Sequence, residues 1–426
     1  MNFPLFPMTD NHDLVCISHL RWDFVYQRPQ HLMTRAAKTR RVFFVEEPRF
    51  EEKVAVRLEV RRDKSGVLVV TPFLPSGLLE SEVHAHFAQL LEQLLEYHTV
   101  EDYTLWVYTP MPLPALFTLS ESGHKPQLVI YDCMDELANF RFAPPELRER
   151  ETQLFAWADV VFTGGYSLYE AKCKQHTNVH PFPSSVDVDH FAKATINPEE
   201  PNDLQNVPHP RVGFIGVIDE RMDTELLRQV AENRPDWHFV MIGPVVKISE
   251  DELPRGGNVH YLGQKQYDEL PAYLAHIDVA MMPFAINDST RFISPTKTPE
   301  YLAAGKPVIS TPIRDVVRPY GEKDLVVIAE NSSEFIKGLE HLINEDQTQR
   351  QSRATAHVNR LSWDGTWQSM ERCMTKALKA KQTVVMPSVH KPFPARPSKL
   401  TPALSASSSA SKTTNAGLTT SAKLTR

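Results

Sequence analysis

The sequence predicts an α/β protein built from two doubly wound domains, each a parallel sheet covered by helices. Short runs of β-branched and aromatic residues alternate with amphipathic helical patterns, which is the arrangement that parallel sheets require. This alternation occurs twice, with an interruption between the two series. The chain has 426 residues and 42% hydrophobic content, which is too much for one hydrophobic core and enough for two.

The first series contains six strand candidates and two prominent helix candidates. The strands are expected at 14–17, 42–45, 67–70, 105–108, 128–131 and 160–162, and the helices at 82–97 and 145–157. We therefore expect a first domain over residues 1–196. A stretch rich in proline, asparagine and acidic residues follows at 197–210 and indicates a linker.

The second series predicts a second domain over residues 211–358. Its strands are expected at 212–215, 239–242, 260–262, 279–282, 308–310 and 325–328, and its helices at 224–233, 267–275, 295–304 and 333–344. Residues 387–426 are rich in Ser, Thr and Pro, and we expect a disordered basic tail there. Doubly wound domains bind ligands at the carboxyl ends of their strands, which places the site in the cleft between the domains.

The charge distribution argues against a nucleic-acid partner. The formal net charge is -7, and six of the 46 basic residues lie in the tail, which leaves 40 basic against 53 acidic groups in the body.

The four cysteines are scattered without a C-x-x-C pair, so we expect reduced thiols. Because there is no signal-peptide pattern and no apolar run of roughly 18 residues, we expect a cytoplasmic protein.

Several common chemistries of doubly wound domains lack their motifs here. The sequence contains no G-x-G-x-x-G after a strand, no G-x-x-x-x-G-K-[ST] and no G-x-S-x-G, which excludes redox, P-loop and α/β-hydrolase functions. A D-x-D pair, Asp187 and Asp189, offers two carboxylates for a divalent ion. Short acids after a strand more often cap turns. We favour the capping role and expect no metal and no cofactor.

Residues 292–311, FISPTKTPEYLAAGKPVIST, carry the most information. Ser294 is a good N-cap and Pro295 fits the first helical position, so the free N–H groups of the helix would face the cleft and favour an anion such as a diphosphate. Lys297 adds a positive charge, and Glu300 on the same face can accept hydrogen bonds from two ribose hydroxyls. The alternative is an ordinary surface pair between Lys297 and Glu300.

This segment resembles the donor-binding signature of the retaining GT-B enzymes of glycosyltransferase family 4, the glycosyl transferases group 1, which reads E-x-[LM]-A-x-G-x-P-V. The segments GFIGVIDER at 213–221, FVMIGPV at 239–245 and YLGQKQYDELPAYLAHIDVAMMPF at 261–284 match in order and spacing. The resemblance covers residues 13–378 and implies the GT-B fold, with two Rossmann-like domains facing a cleft. It also implies that a C-terminal helix at 359–386 packs back on the first domain.

Carried onto this chain, the resemblance assigns a donor-binding set. Glu300 would bind the donor ribose, and Lys297 would contact the diphosphate. Arg221 offers a second cation, or is a solvated charge beside acidic neighbours. The full set is Gly216, Val217, Arg221, Lys297, Thr298 and Glu300.

One position departs from the family pattern. Many members hold two glutamates eight positions apart, but the position eight before Glu300 is Phe292. The role of the absent carboxylate would pass to Asn287 or Asp288, or the sugar is held differently. The identity of the donor sugar therefore stays open.

The loop HLRWDFVYQRPQHLM after the first strand joins arginines with aromatic side chains, a mixture suited to stacking on a sugar or holding a phosphate. We place Arg21, Trp22 and Arg28 on the acceptor side, although a buried loop with paired charges would look similar. Asp132 and Asp135 follow a strand, where either can orient or deprotonate an acceptor hydroxyl. Helix capping by Asp135 is the alternative.

We therefore expect a bacterial, hexosyltransferase-like glycosyltransferase of polysaccharide biosynthesis. It would move a sugar from a nucleotide-diphosphate-sugar donor to a glycan or lipid-linked acceptor, with the retention that the resemblance implies. The alternatives are a nucleotide-sugar epimerase of the same fold and a non-catalytic sugar-binding GT-B protein. Peripheral contact with the inner face of the membrane stays open.

Overall fold

The computed structural model describes residues 12–385 as two sheets of mainly parallel strands, covered by helices. The predicted α/β architecture with two doubly wound sheets is confirmed. The expected tail at 387–426 lies outside the described residues. Within the described part of the chain, no helix is both long enough and apolar enough to cross a bilayer.

The first sheet has nine strands in the described residues. They are β1 (Asp13–Ile17), β2 (Val42–Val45), β3 (Arg49–Glu51), β4 (Arg57–Arg62), β5 (Leu68–Pro75), β6 (Tyr103–Val107), β7 (Leu128–Cys133), β8 (Val160–Thr163) and β9 (Val179–Pro181). Their spatial order is β3-β5-β2-β1-β6-β7-β8-β9, and β4 pairs antiparallel with β5. The helices of this part are α1 (Arg28–Ala36), α2 (Glu80–Tyr97), α3 (Leu113–Glu121), α4 (Leu147–Trp157), α5 (Tyr166–Lys172) and α6 (Val188–Phe191).

The second sheet has six parallel strands in the order β12-β11-β10-β13-β14-β15. They are β10 (Arg211–Ile215), β11 (His238–Ile242), β12 (Val259–Gly263), β13 (Val279–Met282), β14 (Val308–Ser310) and β15 (Val327–Ile328). The helices are α7 (Thr224–Asn233), α8 (Leu270–Ala275), α9 (Lys297–Ala303), α10 (Arg314–Val317), α11 (Ser332–Asn344), α12 (Thr348–Val358) and α13 (Trp363–Val385).

Both sheets reverse their strand order next to their first strand. β1 lies between β2 and β6, and β10 lies between β11 and β13. At such a reversal the connecting helices leave on opposite faces, which opens a crevice at the carboxyl ends of the strands. Each domain therefore brings one crevice to the site.

The first sheet is covered on both faces. Leu14 and Cys16 of β1 join one apolar cluster, while Val15 and Ile17 join the other, as the two-residue period of a strand requires. All four side chains are buried. This is why the strand appears in the sequence as a continuous apolar run rather than as an alternation.

Helix α13 packs against the first sheet although it follows the second domain in the chain. Trp363, Trp367 and Met370 stand three or four positions apart, so they share one face of the helix. They join the apolar cluster that contains Trp106, and the rings of Trp106 and Trp367 are 6.1 Å apart. The last helix thus completes the core of the first domain.

Candidate functional site

A cavity of about 550 Å³ lies between the carboxyl ends of the two sheets. Loops that follow strands of both domains line it. In the first domain Asp135 follows β7 and Gly164 follows β8, and in the second Gly216, Gly243 and Gln264 follow β10, β11 and β12. The cavity therefore occupies the position where doubly wound domains bind their ligands.

Helix α9 is fixed to the second sheet by two buried side chains. The Tyr301 hydroxyl accepts a hydrogen bond from the backbone N–H of Ile215 at 2.8 Å and donates one to the Ile215 carbonyl at 3.2 Å. The Thr298 hydroxyl contacts a methionine sulfur of β13 at 3.4 Å. Because β10 ends at Ile215, these contacts hold the first turn of α9 beside the cavity, with Lys297 and Glu300 on its wall.

Helix α9 begins later than predicted. The expected cap at Ser294 and start at Pro295 are wrong, since the helix starts at Lys297 and its N-cap residue Thr296 makes no side-chain capping bond. The reason is Pro299, which has no N–H to donate to the Pro295 carbonyl as a continuous helix requires. With seven residues, α9 aligns few peptide dipoles, so the positive character of the wall depends on side chains.

Most of the predicted donor-binding residues face the cavity. Thr298 is the exception, because its side chain is fully buried and packs against β13. Its side chain is therefore not part of the cavity wall. The residues of the set that line the cavity are Gly216, Val217, Arg221, Lys297 and Glu300.

Lys297 and Glu300 are not in direct contact as an ion pair. No ion pair within 4.0 Å joins them in the described part of the chain. Burial lowers the pKa of Lys297, and the neighbouring Arg221 lowers it further. Burial raises the pKa of Glu300, against the opposing effect of Lys297. The two groups are therefore poorly solvated side chains on the cavity wall that influence each other's pKa without direct contact, and the surface-pair alternative does not describe them.

Lys297 reaches the cavity because Gly216 has no side chain. A Cβ at Gly216 would lie 1.9 Å from Cε of Lys297, and the backbone φ of +152° also favours glycine. Nζ of Lys297 lies 5.4 Å from the ring centroid of Phe214 and 5.9 Å from that of Phe284, which is within the range of a cation–π contact. The ammonium group is thus held between the end of β10 and two aromatic rings.

Arg221 brings a second cation to the cavity, and Asp219 pairs with it. Nε of Arg221 donates to the two oxygens of Asp219 at 2.9 and 3.1 Å, and Nη2 donates at 2.6 Å. Only 24% of the Arg221 side chain is exposed, so it is not a solvated charge. The guanidinium group lies 5.5 Å from the Phe140 ring of the first domain. Arg221 is therefore a fixed and largely neutralised cation.

Asp135 faces this wall from the first domain. Burial raises its pKa to about 6, despite the opposing effect of Arg221. The short helical turn that follows is not capped by a side chain, so the capping alternative for Asp135 is not supported. A carboxylate that titrates near neutral pH is suited to accepting a proton from a hydroxyl group.

The Asp132 carboxylate is paired with the Arg28 guanidinium group. The carboxylate is fully buried, and Nε and Nη2 of Arg28 donate to it at distances from 2.9 to 3.1 Å. Nη1 of Arg28 donates to the Phe182 carbonyl at 2.7 Å. Arg28 lines the cavity and Asp132 does not, and the predicted roles of both residues stay predictions. The pair joins the start of α1 to the ends of β7 and β9.

Arg21 is likewise paired inside the first domain. It donates to the Glu46 carboxylate at 3.2 Å and to the Glu47 carbonyl at 2.6 Å, and it does not line the cavity. Trp22 reaches the cavity rim but is 6% exposed and packs edge-on against Phe44. The paired charges agree with the alternative of a buried loop, but residues 22–28 also line the cavity, so an acceptor-binding role of this loop stays a prediction.

Asp187 of the D-x-D pair caps α6 and also lines the cavity. Asp187 is the N-cap residue of that helix and accepts a hydrogen bond from the His190 backbone N–H at 3.2 Å, and Asp189 is exposed. In the described residues, the carboxylates and imidazoles close enough to share one ion are Glu92, Glu96 and His124. These three do not line the cavity.

The residue at the position of the absent glutamate packs towards the first domain. Phe292 packs against an apolar cluster of the first sheet. The side-chain oxygen of Asn287 accepts hydrogen bonds from the backbone N–H groups of Ser289 and Thr290 at 3.0 and 3.2 Å, which occupies it within its own loop. Asp288 is exposed. The loop therefore offers Asp288, rather than Asn287, as a side chain free of such bonds.

Sequence analysis missed an aromatic cluster shared by the two domains. The ring centroid of Tyr267 in the second domain lies 4.5 Å from that of Tyr26, 5.7 Å from that of His31 and 4.2 Å from that of His190. Tyr26, His190 and Tyr267 line the cavity. The available signal was the position of both tyrosines in loops that follow strands.

Solved structures of other proteins share this architecture. The sucrose-phosphate synthase (tll1590) from Thermosynechococcus elongatus has a TM-score of 0.66 at 14% identity, covering 87% of this chain and 100% of that one. The alpha,alpha-trehalose-phosphate synthase (UDP-forming) from Burkholderia xenovorans in complex with glucose-6-phosphate gives 0.64 at 13%, covering 85% and 100%. "Trehalose-6-phosphate from E. coli bound with UDP-2-fluoro glucose" gives 0.63 at 12%, covering 86% and 99%. The chain has the GT-B fold.

Sequence comparisons agree with this fold. The profile of the family described as Glycosyl transferases group 1 matches residues 209–345, which include every second-domain residue of the cavity named above. "Putative teichuronic acid biosynthesis glycosyltransferase TuaH" of Bacillus subtilis (strain 168) is 28% identical over 258 residues, covering 56% of this chain and 64% of that protein. The predicted resemblance to GT-B glycosyltransferases is confirmed, and the match spans less than two thirds of the curated relative.

The anchoring of α9 by Tyr301 can be tested by a single substitution. Tyr301→Phe leaves the Ile215 N–H buried without an acceptor and is expected to lower the free energy of unfolding by about 1 to 3 kcal/mol. Urea denaturation measures this. The control Tyr97→Phe removes a hydroxyl from a side chain that is 85% exposed and should change stability by less than about 0.5 kcal/mol. Equal stabilities of the two variants would contradict the anchoring role.

Proposed function

We propose that the protein is a glycosyltransferase that moves a sugar from a nucleotide-diphosphate-sugar donor to a hydroxyl group of a glycan or lipid-linked acceptor. The observation that carries the proposal is the pair Lys297 and Glu300, an ammonium and a carboxyl group buried on the cavity wall without a direct ion pair. The ammonium group of Lys297 suits an anionic ligand, and the carboxyl group of Glu300 suits hydroxyl groups that donate hydrogen bonds. The profile match over the same segment supports the activity, and a solved structure of this fold is bound with UDP-2-fluoro glucose.

Glu300 would accept hydrogen bonds from both ribose hydroxyls of the donor. Its raised pKa does not oppose this role, because hydroxyl groups that donate to a carboxylate favour its charged form. The ammonium group of Lys297 would contact the diphosphate, and Arg221, already paired with Asp219, would add a weaker contact. Gly216 would allow the donor to approach the end of β10.

The transfer needs stabilisation of the leaving diphosphate and a group that accepts the proton of the incoming hydroxyl. Lys297 and Arg221 would supply the first, and Asp135 would supply the second from the opposite wall. As the bond between the anomeric carbon and the diphosphate oxygen breaks, the acceptor oxygen would bond to that carbon from the same face, and its proton would go to Asp135. We propose that the anomeric configuration is retained, in line with the family resemblance.

Our proposal for the class of acceptor is based on the curated relative. The name of the Bacillus subtilis protein places it in teichuronic acid biosynthesis, which favours a bacterial polysaccharide context for this chain. A lipid-linked acceptor would bring the protein to the inner face of the membrane. An epimerase of the same fold would convert the donor without transfer to an acceptor, and a sugar-binding protein would bind the donor without turnover, so product analysis separates the three.

The donor site is tested by titration with UDP, GDP and ADP and with their nucleosides. Glu300→Gln replaces charged acceptors with a weaker amide and is expected to cost about 1.5 to 3 kcal/mol of donor interaction. That corresponds to a fall of roughly tenfold to a hundredfold in kcat/KM for the donor. Lys297→Met should weaken binding of the diphosphate more than that of the nucleoside.

The matched control for these variants is Glu232→Gln on α7. Glu232 is exposed and pairs with Arg228 at i,i+4, so its loss should cost less than about 0.5 kcal/mol of stability and leave turnover intact. Circular dichroism checks that all variants are folded. Unchanged affinities in both Glu300→Gln and Lys297→Met would remove the donor site from α9.

The role of Asp135 predicts an acidic limb in the pH profile. The pKa of Asp135 is raised to about 6, and only the ionised form can take the proton, so kcat/KM should fall as the pH drops through 6. The readout is release of nucleoside diphosphate between pH 5 and 8. Asp135→Asn should be slow and lack this limb, and exposed Asp189→Asn should keep it. A limb that persists in Asp135→Asn would assign the base to another group.

We propose that no metal takes part, because Asp187 caps α6 and side-chain cations face the proposed diphosphate position. Treatment with EDTA is therefore expected to leave the rate of nucleotide release unchanged. The control is the same assay with added magnesium or manganese, which should not raise the rate. Complete loss with EDTA and recovery with either ion would contradict metal independence and return Asp187 to a metal-binding role.

A further inference from the structure

Tyr267 belongs to the second domain but packs into the first. It begins a short helical turn that follows β12 and lines the cavity. Its ring stacks on His190, with a centroid distance of 4.2 Å and an interplanar angle of 9°. The ring is also in contact with Tyr26 at 4.5 Å and with His31 at 5.7 Å. Three aromatic side chains of the first domain therefore hold this ring in one orientation.

The backbone of Tyr267 is held as well. Nε2 of His190 lies 3.0 Å from the Tyr267 carbonyl oxygen, so the imidazole that stacks on the ring also donates a hydrogen bond to the same residue. With ring and carbonyl both fixed, the hydroxyl has little freedom to seek another partner. Its environment in this structure is therefore set by the packing and not by its own hydrogen bond.

The Tyr267 hydroxyl is buried and has no hydrogen-bond partner in the described residues. A buried polar group without a partner destabilises a protein unless a ligand or water completes it. After burial, the charge of Glu300 is the largest influence that raises the pKa of Tyr267. Tyr267 and Glu300, the carboxylate that would bind the donor ribose, both line the same cavity.

We propose that Tyr267 is a further donor-binding residue, whose hydroxyl hydrogen-bonds the ribose of the bound nucleotide beside Glu300. The inference depends on the proposed function, because it takes the cavity ligand to be a nucleotide. A phenol can donate to one ribose oxygen while Glu300 accepts from the ribose hydroxyls. Because the ring is held by aromatic side chains of the first domain, that domain would position the Tyr267 hydroxyl without itself touching the ribose.

The experiment compares wild type and Tyr267→Phe in titrations with UDP, GDP and ADP and with the matching monophosphates. Phenylalanine keeps the ring contacts and removes the hydroxyl. Affinity for the diphosphate and for its monophosphate should fall by the same factor, about threefold to tenfold. The melting temperature of the free protein should stay the same or rise, because the substitution removes a buried group without a partner. A structural hydroxyl would give the opposite pair of results.

The matched control is Tyr261→Phe in β12. The Tyr261 hydroxyl donates to the Pro254 carbonyl at 3.2 Å, outside the cavity, so its removal should lower the melting temperature and leave nucleotide affinity unchanged. Unchanged affinity in Tyr267→Phe, or a loss confined to the diphosphate, would overturn the ribose contact alone. Failure of the wild type to bind any of the nucleotides would overturn the proposed function together with this inference.

Discussion

The two hydrogen bonds between the Tyr301 hydroxyl and the Ile215 backbone determine the geometry of the candidate site. They fix α9 to the end of β10, and that position directs Lys297 across Gly216 and puts Glu300 on the cavity wall. The first domain uses its charges differently, since Arg21 and Arg28 are paired with carboxylates of the same domain. The second domain thus carries Lys297 and Glu300 on the cavity wall, and the first domain supplies Asp135, the carboxylate whose pKa burial raises to about 6.

The core of each sheet could be predicted from the sequence because both faces are covered. A strand buried on both sides consists of apolar residues throughout, and β2 and β13 show this pattern in four consecutive positions. The edge strands β3 and β4 could not be predicted in this way. They are largely exposed and rich in charged residues, so pairing with β5 holds them in place and leaves no apolar signature in the sequence.

The site was predictable where chemistry follows local sequence and not where it depends on distant partners. The cavity position of Lys297 and Glu300 follows from one helix beside one strand end. The pairing of Arg28 with Asp132 joins residues that are 104 positions apart, and no local sequence pattern predicts it. The contact of Tyr267 with His190 also joins two domains. Such pairs decide which charged or aromatic side chains remain available to a ligand, and they appear only in three dimensions.

The packing of α13 on the first sheet affects the order in which the protein can fold during its synthesis. The ribosome synthesises the first domain before it synthesises Trp363 and Trp367. The apolar surface around Trp106 therefore stays uncovered while the second domain is being made. Nascent chains with exposed apolar surface are prone to aggregation and are bound by chaperones. The first domain therefore cannot mature by itself during translation, and its final closure depends on the last segment of the described chain.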